Sequence, residues 1–256
     1  VTVPTCNVKL TIEYKGTAYA GWQVQPEQKT IQGDITEAIY KTTGEKVKVI
    51  AASRTDAGVH ALGQVANFII EPQLPAERYK EALNFYLSDD IRIKESCEVT
   101  LDFHARRDAL WKRYRYLISP EKSALYRDLR WEHPVELELQ KLKAAATLIV
   151  GEHNFAPFCV VASRQKNNFC HIAAAKWRQV GSLLVFEIRG NRFLHAMVRS
   201  LVGAMVNLGT VTKDKNPQNL TLERFKDIIQ SATDERVIFT APPQGLYLVS
   251  VQYEKG

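Results

Sequence analysis

Strand-like and helix-like runs alternate from one end of this chain to the other, yet many links between successive strands are short. In VKLTIEY, Leu10, Ile12 and Tyr14 alternate with Lys9, Thr11 and Glu13, the pattern of a strand with one buried face. TIQGDITEAIYKTTG sets Ile31, Ile35, Ala38 and Ile39 on one helical face, with Gly44 after the end. Strands are predicted at KVKVIAA and GQVANFII, a helix entered at Pro75 in PAERYKEALNFYL, and a strand at DIRIKESCEV. The second half repeats this style. KRYRYLIS reads as a strand, VELELQKLKAAATLIVG as a helix ending near Gly151, and AAKWRQVGSLLVFEIRG as a hairpin turning at Gly181 and Ser182. A long helix, RFLHAMVRSLVGAMVNLG, a short one, TLERFKDIIQSA, and a strand, GLYLVSVQY, complete the pattern. Parallel strands require long crossovers, so short links favour antiparallel pairing. The expected fold class is therefore α+β: two ferredoxin-like split β-α-β halves sharing a mixed, mostly antiparallel sheet. The expected halves are 1–105 and 106–256, and no low-complexity linker separates them.

The 256 residues suffice for one large core or two smaller ones. No long apolar run or basic-then-apolar start marks a membrane span or a secretory signal, and a cytoplasmic protein without a membrane partner is expected. The net charge of +6 suits a polyanionic partner without demanding one. Cys6, Cys97, Cys159 and Cys170 are widely spaced, and no C-x-x-C pair occurs. His153, Cys159, Cys170 and His171 match no common zinc spacing, so reduced thiols and no metal are expected.

The segment from Arg192 places Leu194, Met197, Val198, Leu201, Val202, Met205 and Leu208 on one helical face. Arg192, His195 and Arg199 share another, at i, i+3 and i+7, with Gly203 continuing the stripe. A helix this apolar is expected to be buried, and a buried cationic stripe needs an anion. The alternative is a solvated basic edge. In WKRYRYLI, Tyr114 and Tyr116 take one strand face and Arg113 and Arg115 the other. Tyr rings can stack on bases and Arg can pair with phosphates. An aromatic core face backed by a basic solvent face explains the same pattern.

In SRTDAGVH, Asp56 stands among small residues between Arg54 and His60. A turn or capping aspartate is one reading. A chemical role is the other, and a lone carboxylate argues against an ordinary glycosidase, which uses two. The Asp89–Asp90 pair reads as turn punctuation, and no Walker A, G-x-S-x-G or H-E-x-x-H motif is present.

SRTDAGVHALGQVANF resembles the catalytic motif of the TruA-type tRNA pseudouridine synthases. EYKGTAYAGWQVQPEQKTIQGDI resembles that family's N-terminal motif, DFHARRDALWKRYRY its central motif, NRFLHAMVRSLVGAM its late helix and APPQGLYLVSVQY its C-terminal strand. The order is the family's and the matches span nearly the whole chain. Ser53 stands where the family usually has Gly, Lys15 where it has Asp, and Ala196 where it has a second His.

The resemblance implies the pseudouridine synthase fold and conversion of uridine to pseudouridine at positions 38, 39 and 40 of the tRNA anticodon stem-loop. It implies Asp56 as catalytic nucleophile or base and Arg199 as its counter-ion. Tyr114 would stack on the target uracil, Arg54 would help flip the nucleotide and take its place, and Leu246 would line the pocket. The family uses no cofactor or metal, and its members are typically homodimers. Two other classes stay open on the residues themselves: a non-catalytic RNA-binding protein on the same scaffold, and a base-excising glycosidase.

Overall fold

The computed structural model describes residues 5–211, 220–230 and 237–254. In chain order the principal elements are β1 (Cys6–Tyr14), α1 (Ile31–Thr43), β2 (Ile50–Ala51), β3 (His60–Ile70), α2 (Tyr79–Tyr86), β4 (Ile91–Val99), β5 (Trp111–Ser119), β6 (Trp131–Glu132), α3 (Leu139–Leu148), β7 (Gly151–Asn154), β8 (Phe169–Val180), β9 (Leu183–Gly190), α4 (Met197–Gly209), α5 (Leu222–Gln230) and β10 (Leu246–Gln252). They form two compact units, Val1–Leu110 with Tyr247–Gly256, and Trp111–Leu246. Among the described residues no helix is long and apolar enough to cross a membrane.

In the first unit, β1 lies between β4 and β3, antiparallel to both. Alternation along β1 buries Val8, Leu10, Ile12 and Tyr14. β10 runs parallel to β3, with Tyr247 opposite His60 and Leu248 opposite Ala61, which is why the chain's last strand belongs with this unit. The expected division into 1–105 and 106–256 places that strand with the second half instead. α1 starts at Thr30, whose hydroxyl accepts the Gly33 N–H at 3.2 Å, and ends at Gly44 with φ 75°. Its buried stripe is Ile31, Ile35, Ala38 and Ile39, as the spacing predicts. The strand predicted at KVKVIAA shrinks to Ile50–Ala51, because the Gln32 amide takes the Val49 carbonyl at 2.9 Å in place of a strand partner. The helix from Pro75 begins as a short 3-10 turn, Ala76–Arg78, before α2.

In the second unit, β5, β9, β8 and β7 follow one another in antiparallel order, and β6 adds a short parallel pair to β5. The β8–β9 hairpin turns at Gly181 and Ser182, between the paired Val180 and Leu183. Trp177 donates its indole N–H to the Met205 sulfur at 3.4 Å, which fixes α4 against the inner face of the sheet. The helix predicted from Val135 starts only at Leu139. The upstream backbone is committed elsewhere: Glu138 N–H donates to Gly209 O at 2.8 Å and Val211 N–H to Glu136 O at 3.0 Å. The last two positions of the predicted TLERFKDIIQSA helix, Ser231 and Ala232, lie outside the described residues.

The long helix predicted from Arg192 is corrected most. α4 begins at Met197, and Ala196 before it is left-handed at φ 60°. Arg192 and His195 therefore precede the helix and share no helical face with Arg199. From Met197 onward the burial expectation holds, with Met197, Val198, Leu201, Val202, Met205 and Leu208 all buried. Gly203 leaves room that is filled by backbone: a Cβ there would meet Phe239 C at 2.8 Å and its O at 2.9 Å.

Both units are thus helices packed on mixed, mostly antiparallel sheets, an α+β architecture.

Candidate active site

Asp56 sits half-buried in the connection from β2 to β3, in the first unit. Nearly every neighbour in that loop is tied to a different part of the same unit. The β2–β3 ladder continues to Ala52, whose N–H donates to Val65 O at 2.8 Å. Beyond it, the Gln64 side chain takes over the role of a strand partner. It donates to Ser53 O at 2.7 Å and accepts from Ser53 N–H at 3.3 Å. Gln64 is fully buried and also donates to the Tyr14 hydroxyl at 3.4 Å. Tyr14 hydrogen-bonds the Thr55 hydroxyl at 2.7 Å, and Trp22 N–H donates to Thr55 O at 3.0 Å.

Past the aspartate the pattern continues. Val59 N–H donates to Asp56 O at 3.2 Å, closing the turn, and Gly58 N–H donates to Tyr19 O at 3.3 Å. Buried His60 accepts the Gly16 N–H on Nδ1 at 3.0 Å and stacks 4.8 Å from the Tyr247 ring. An acceptor Nδ1 carries no proton, so His60 is a neutral imidazole in this arrangement. Gly21, at φ 100°, presses on the loop so closely that a Cβ would meet Thr55 O at 2.8 Å. The result is a rigid backbone that presents the carboxylate of Asp56 and the exposed side chain of Arg54.

The other sequence-predicted residues belong to the second unit. Arg199, on the first turn of α4, donates Nε–H to Ala241 O at 2.9 Å, while Ala241 N–H donates to Arg199 O at 3.0 Å. The guanidinium is thus tied to the segment that leads into Leu246. That segment is also held by the Tyr116 hydroxyl, which donates to Pro242 O at 2.7 Å. Burial pushes the Tyr116 phenol well up, and the positive charge of Arg199 partly opposes this. Leu246 is buried at the head of β10. Tyr114 is buried on β5, braced edge-on by Phe193 at 5.0 Å between ring centroids.

The structure gathers Arg54 and Asp56 in one loop, and places Tyr114, Arg199 and Leu246 in the other unit. It removes Arg192 and His195 from the predicted stripe. The Arg192 side chain donates instead to Gln165 Oε1 at 3.1 Å. Sequence reading missed the supports, Tyr14, Tyr19, Trp22 and Gln64. All four lie inside the quoted motifs, but nothing local in them signals a contact to a loop tens of residues away. Among the described residues no cluster of three or more His, Cys, Asp or Glu is arranged to hold a metal ion.

The chain is similar to curated proteins called tRNA pseudouridine synthase A. It is 46% identical over 251 residues to that of Acetivibrio thermocellus, covering 96% of this chain and 99% of that protein. It is 41% identical over 249 residues to that of Caldicellulosiruptor bescii, again covering 96% and 99%. A chain of the solved archaeal box H/ACA sRNP Nop10-Cbf5 complex aligns at 12% identity with a TM-score of 0.32, covering 93% of this chain and 68% of that one, which is too loose to carry an argument. The tRNA pseudouridine synthase family model matches residues 10–108 and 145–254, which take in the aspartate loop, α4 and β10. Matched over most of its length, this chain belongs to the tRNA pseudouridine synthase family and is an isomerase of tRNA uridine.

Proposed function

We propose that this chain isomerises uridine to pseudouridine at positions 38, 39 and 40 of the tRNA anticodon stem-loop, with Asp56 as its catalytic carboxylate. The observation that carries the reading is the loop around Asp56. It is tied through the backbone at Ser53, Thr55 and Gly58 and through the His60 ring, so its one carboxylate stands on a fixed frame, which supports a reacting role. A capping aspartate needs no such frame.

The reaction breaks the uracil N1–C1′ bond, turns the freed base and joins C5 to C1′; the proton on C5 passes to solvent and N1 takes one up, so the product is an isomer of the substrate. A single carboxylate serves as nucleophile or base because no water attacks and no group departs. The target base must first leave its stack, at a cost of a few kcal/mol. Tyr114 offsets part of this by stacking on the uracil, worth roughly 1–3 kcal/mol. Arg54, exposed beside Asp56, takes the place of the flipped nucleotide, and Leu246 closes the apolar side of the pocket. Arg199 is the counter-ion that keeps Asp56 ionised and oriented. Its anchoring to Ala241 limits where its guanidinium can point, which supports that role. The enzyme works without metal or cofactor, as a cytoplasmic homodimer.

The test is incubation with unmodified tRNA carrying tritium at uracil C5. Pseudouridine formation releases the label. A non-catalytic RNA-binding protein releases none, and a glycosidase leaves abasic sites. The proposed ion pair has its own measurement, a stability cycle over Asp56→Asn and Arg199→Met. Breaking one partner of a buried pair costs about 3–5 kcal/mol, and the double variant should recover part of it. Additive losses would separate the two residues.

A further inference from the structure

The face of the β5–β9–β8 sheet turned away from α4 carries charges that the proposed chemistry does not use. Register sets Arg113 directly opposite Arg189, Arg115 opposite Glu187, and Lys176 opposite Glu187 from the other side. Arg178 reaches the same carboxylate. Strand alternation puts these side chains on the face opposite Tyr114, Tyr116, Trp177 and Ile188, all of which are buried. Arg113, Lys176, Arg178 and Arg189 are exposed.

This face does not neutralise itself. Like charges directly opposite across a ladder destabilise a sheet, and Arg113 against Arg189 is such a pair. Glu187 is already shared, at 2.9 Å from Arg115 and 3.5 Å from Arg178. Burial alone would raise its carboxyl, but the hydrogen bond and charge of Arg115, with Arg178 and Arg113 behind it, hold it below the usual range. The other acids that register sets on this side among the described strands are Glu152, out on β7 opposite His171, and Glu132, on β6 opposite Ser119, whose carboxylate already accepts the Ser123 N–H at 2.6 Å. Arg189 is held by stacking: its guanidinium lies 5.3 Å over the Trp111 ring, which packs in turn on His171 at 5.8 Å.

A surplus of guanidinium and ammonium groups on an open sheet face suits a polyanion. A second copy of the same face would set one surplus of positive charge against another. Neighbouring strands lie about 4.8 Å apart, so the cations form a broad patch rather than a single anion pocket. We propose that this face binds the phosphate backbone of the tRNA substrate, at a part of the molecule other than the arm presenting the target uridine. The inference rests on the reading that the target uracil stacks on Tyr114, which occupies the opposite face of β5.

The experiment measures binding of full-length unmodified tRNA and of its isolated anticodon stem-loop across a salt series. The variants are a combined Arg113→Gln, Lys176→Gln and Arg189→Gln chain, and an Arg113→Lys, Arg189→Lys chain that keeps the charge. For the first, affinity for full-length tRNA should fall roughly tenfold or more, and the log–log salt slope should become shallower by about two. The stem-loop should bind it as it binds wild type, and the lysine variant should keep most of the affinity for full-length tRNA. Unchanged affinity and slope for full-length tRNA would overturn the proposal. Equal weakening for both RNAs would overturn it too, by moving the contact to the target arm. A changed oligomeric state with unaltered RNA binding would make the face an interface between copies. Tritium release by wild type on the same tRNA reads the proposed function separately, so either idea can fail alone.

Discussion

In the first unit the loop around Asp56 is held by buried polar side chains that stand in for missing strand partners, Gln64 above all. In the second unit Arg199 is held by a helix so closely packed that a backbone segment rests directly on Gly203. One unit fixes the loop of its charged residue with buried polar side chains, the other adds close backbone packing at Gly203 to the hydrogen bonds between Arg199 and Ala241. Buried polar groups left unpaired cost about 1–3 kcal/mol each, whereas a well-packed interior resists added volume. The first unit should therefore be most sensitive to loss of a polar group, and the second to gain of a methyl.

The largest effect is expected from Gln64→Leu, which strips partners from both the N–H and the C=O of Ser53. Denaturant melts should show a loss of about 2–4 kcal/mol. Single-turnover rate should fall while tRNA affinity persists, because the loop's geometry is disturbed and not its surface charge. A variant that melts and turns over like wild type would show that the backbone alone holds the loop. Next is Gly203→Ala, expected to cost about 1–3 kcal/mol by pushing the Phe239 backbone away from α4. Because Ala241 binds Arg199 nearby, turnover should drop as well. A neutral Gly203→Ala would mean the second unit tolerates volume, and the contrast would fail.

Two smaller effects sharpen it. Glu187 is a polar group in the shape-dominated unit, and Arg115 holds its carboxyl below the ordinary value. A depressed carboxylate contributes stability that is present above its unfolded pKa and is lost as pH falls through the folded one. Glu187→Gln should thus flatten the acid limb of the stability curve below about pH 4 and cost at most about 1 kcal/mol at neutral pH. An unchanged acid limb would contradict the assignment. The smallest effect should be Tyr79→Phe in the polar unit. The Tyr79 hydroxyl is buried with no well-formed hydrogen bond among the described residues, although the Gln73 backbone lies near enough to oppose the effect of burial, which pushes its phenol up to about 12. Removing it should be neutral or slightly stabilising in the same melts. A loss above about 1 kcal/mol would reveal a partner for that hydroxyl.

The same contrast explains what the sequence made legible. Local periodicity located α1 and the β8–β9 hairpin, because their ends are set by Thr30, Gly44 and Gly181 within the segments themselves. It extended α4 backwards to Arg192 because Leu194 keeps the apolar spacing. The chain turns left-handed at Ala196, a conformation that Gly or Asn would have announced and Ala does not. It lengthened β2 because the partner that claims the Val49 carbonyl, Gln32, lies on a helix. At the candidate site, SRTDAGVH drew attention to Asp56 by its composition. The frame around it was hidden, since Tyr14 and Gln64 reach it only through the tertiary fold.

The most direct measurement is tritium release from C5-labelled tRNA by Asp56→Asn, beside wild type, with melting temperature and tRNA affinity recorded on the same preparations. If Asp56 is the catalytic carboxylate in a preformed loop, the variant keeps its fold and its tRNA binding and releases no tritium, while wild type releases it. Substantial release by Asp56→Asn would contradict that role and leave the aspartate as a structural turn residue.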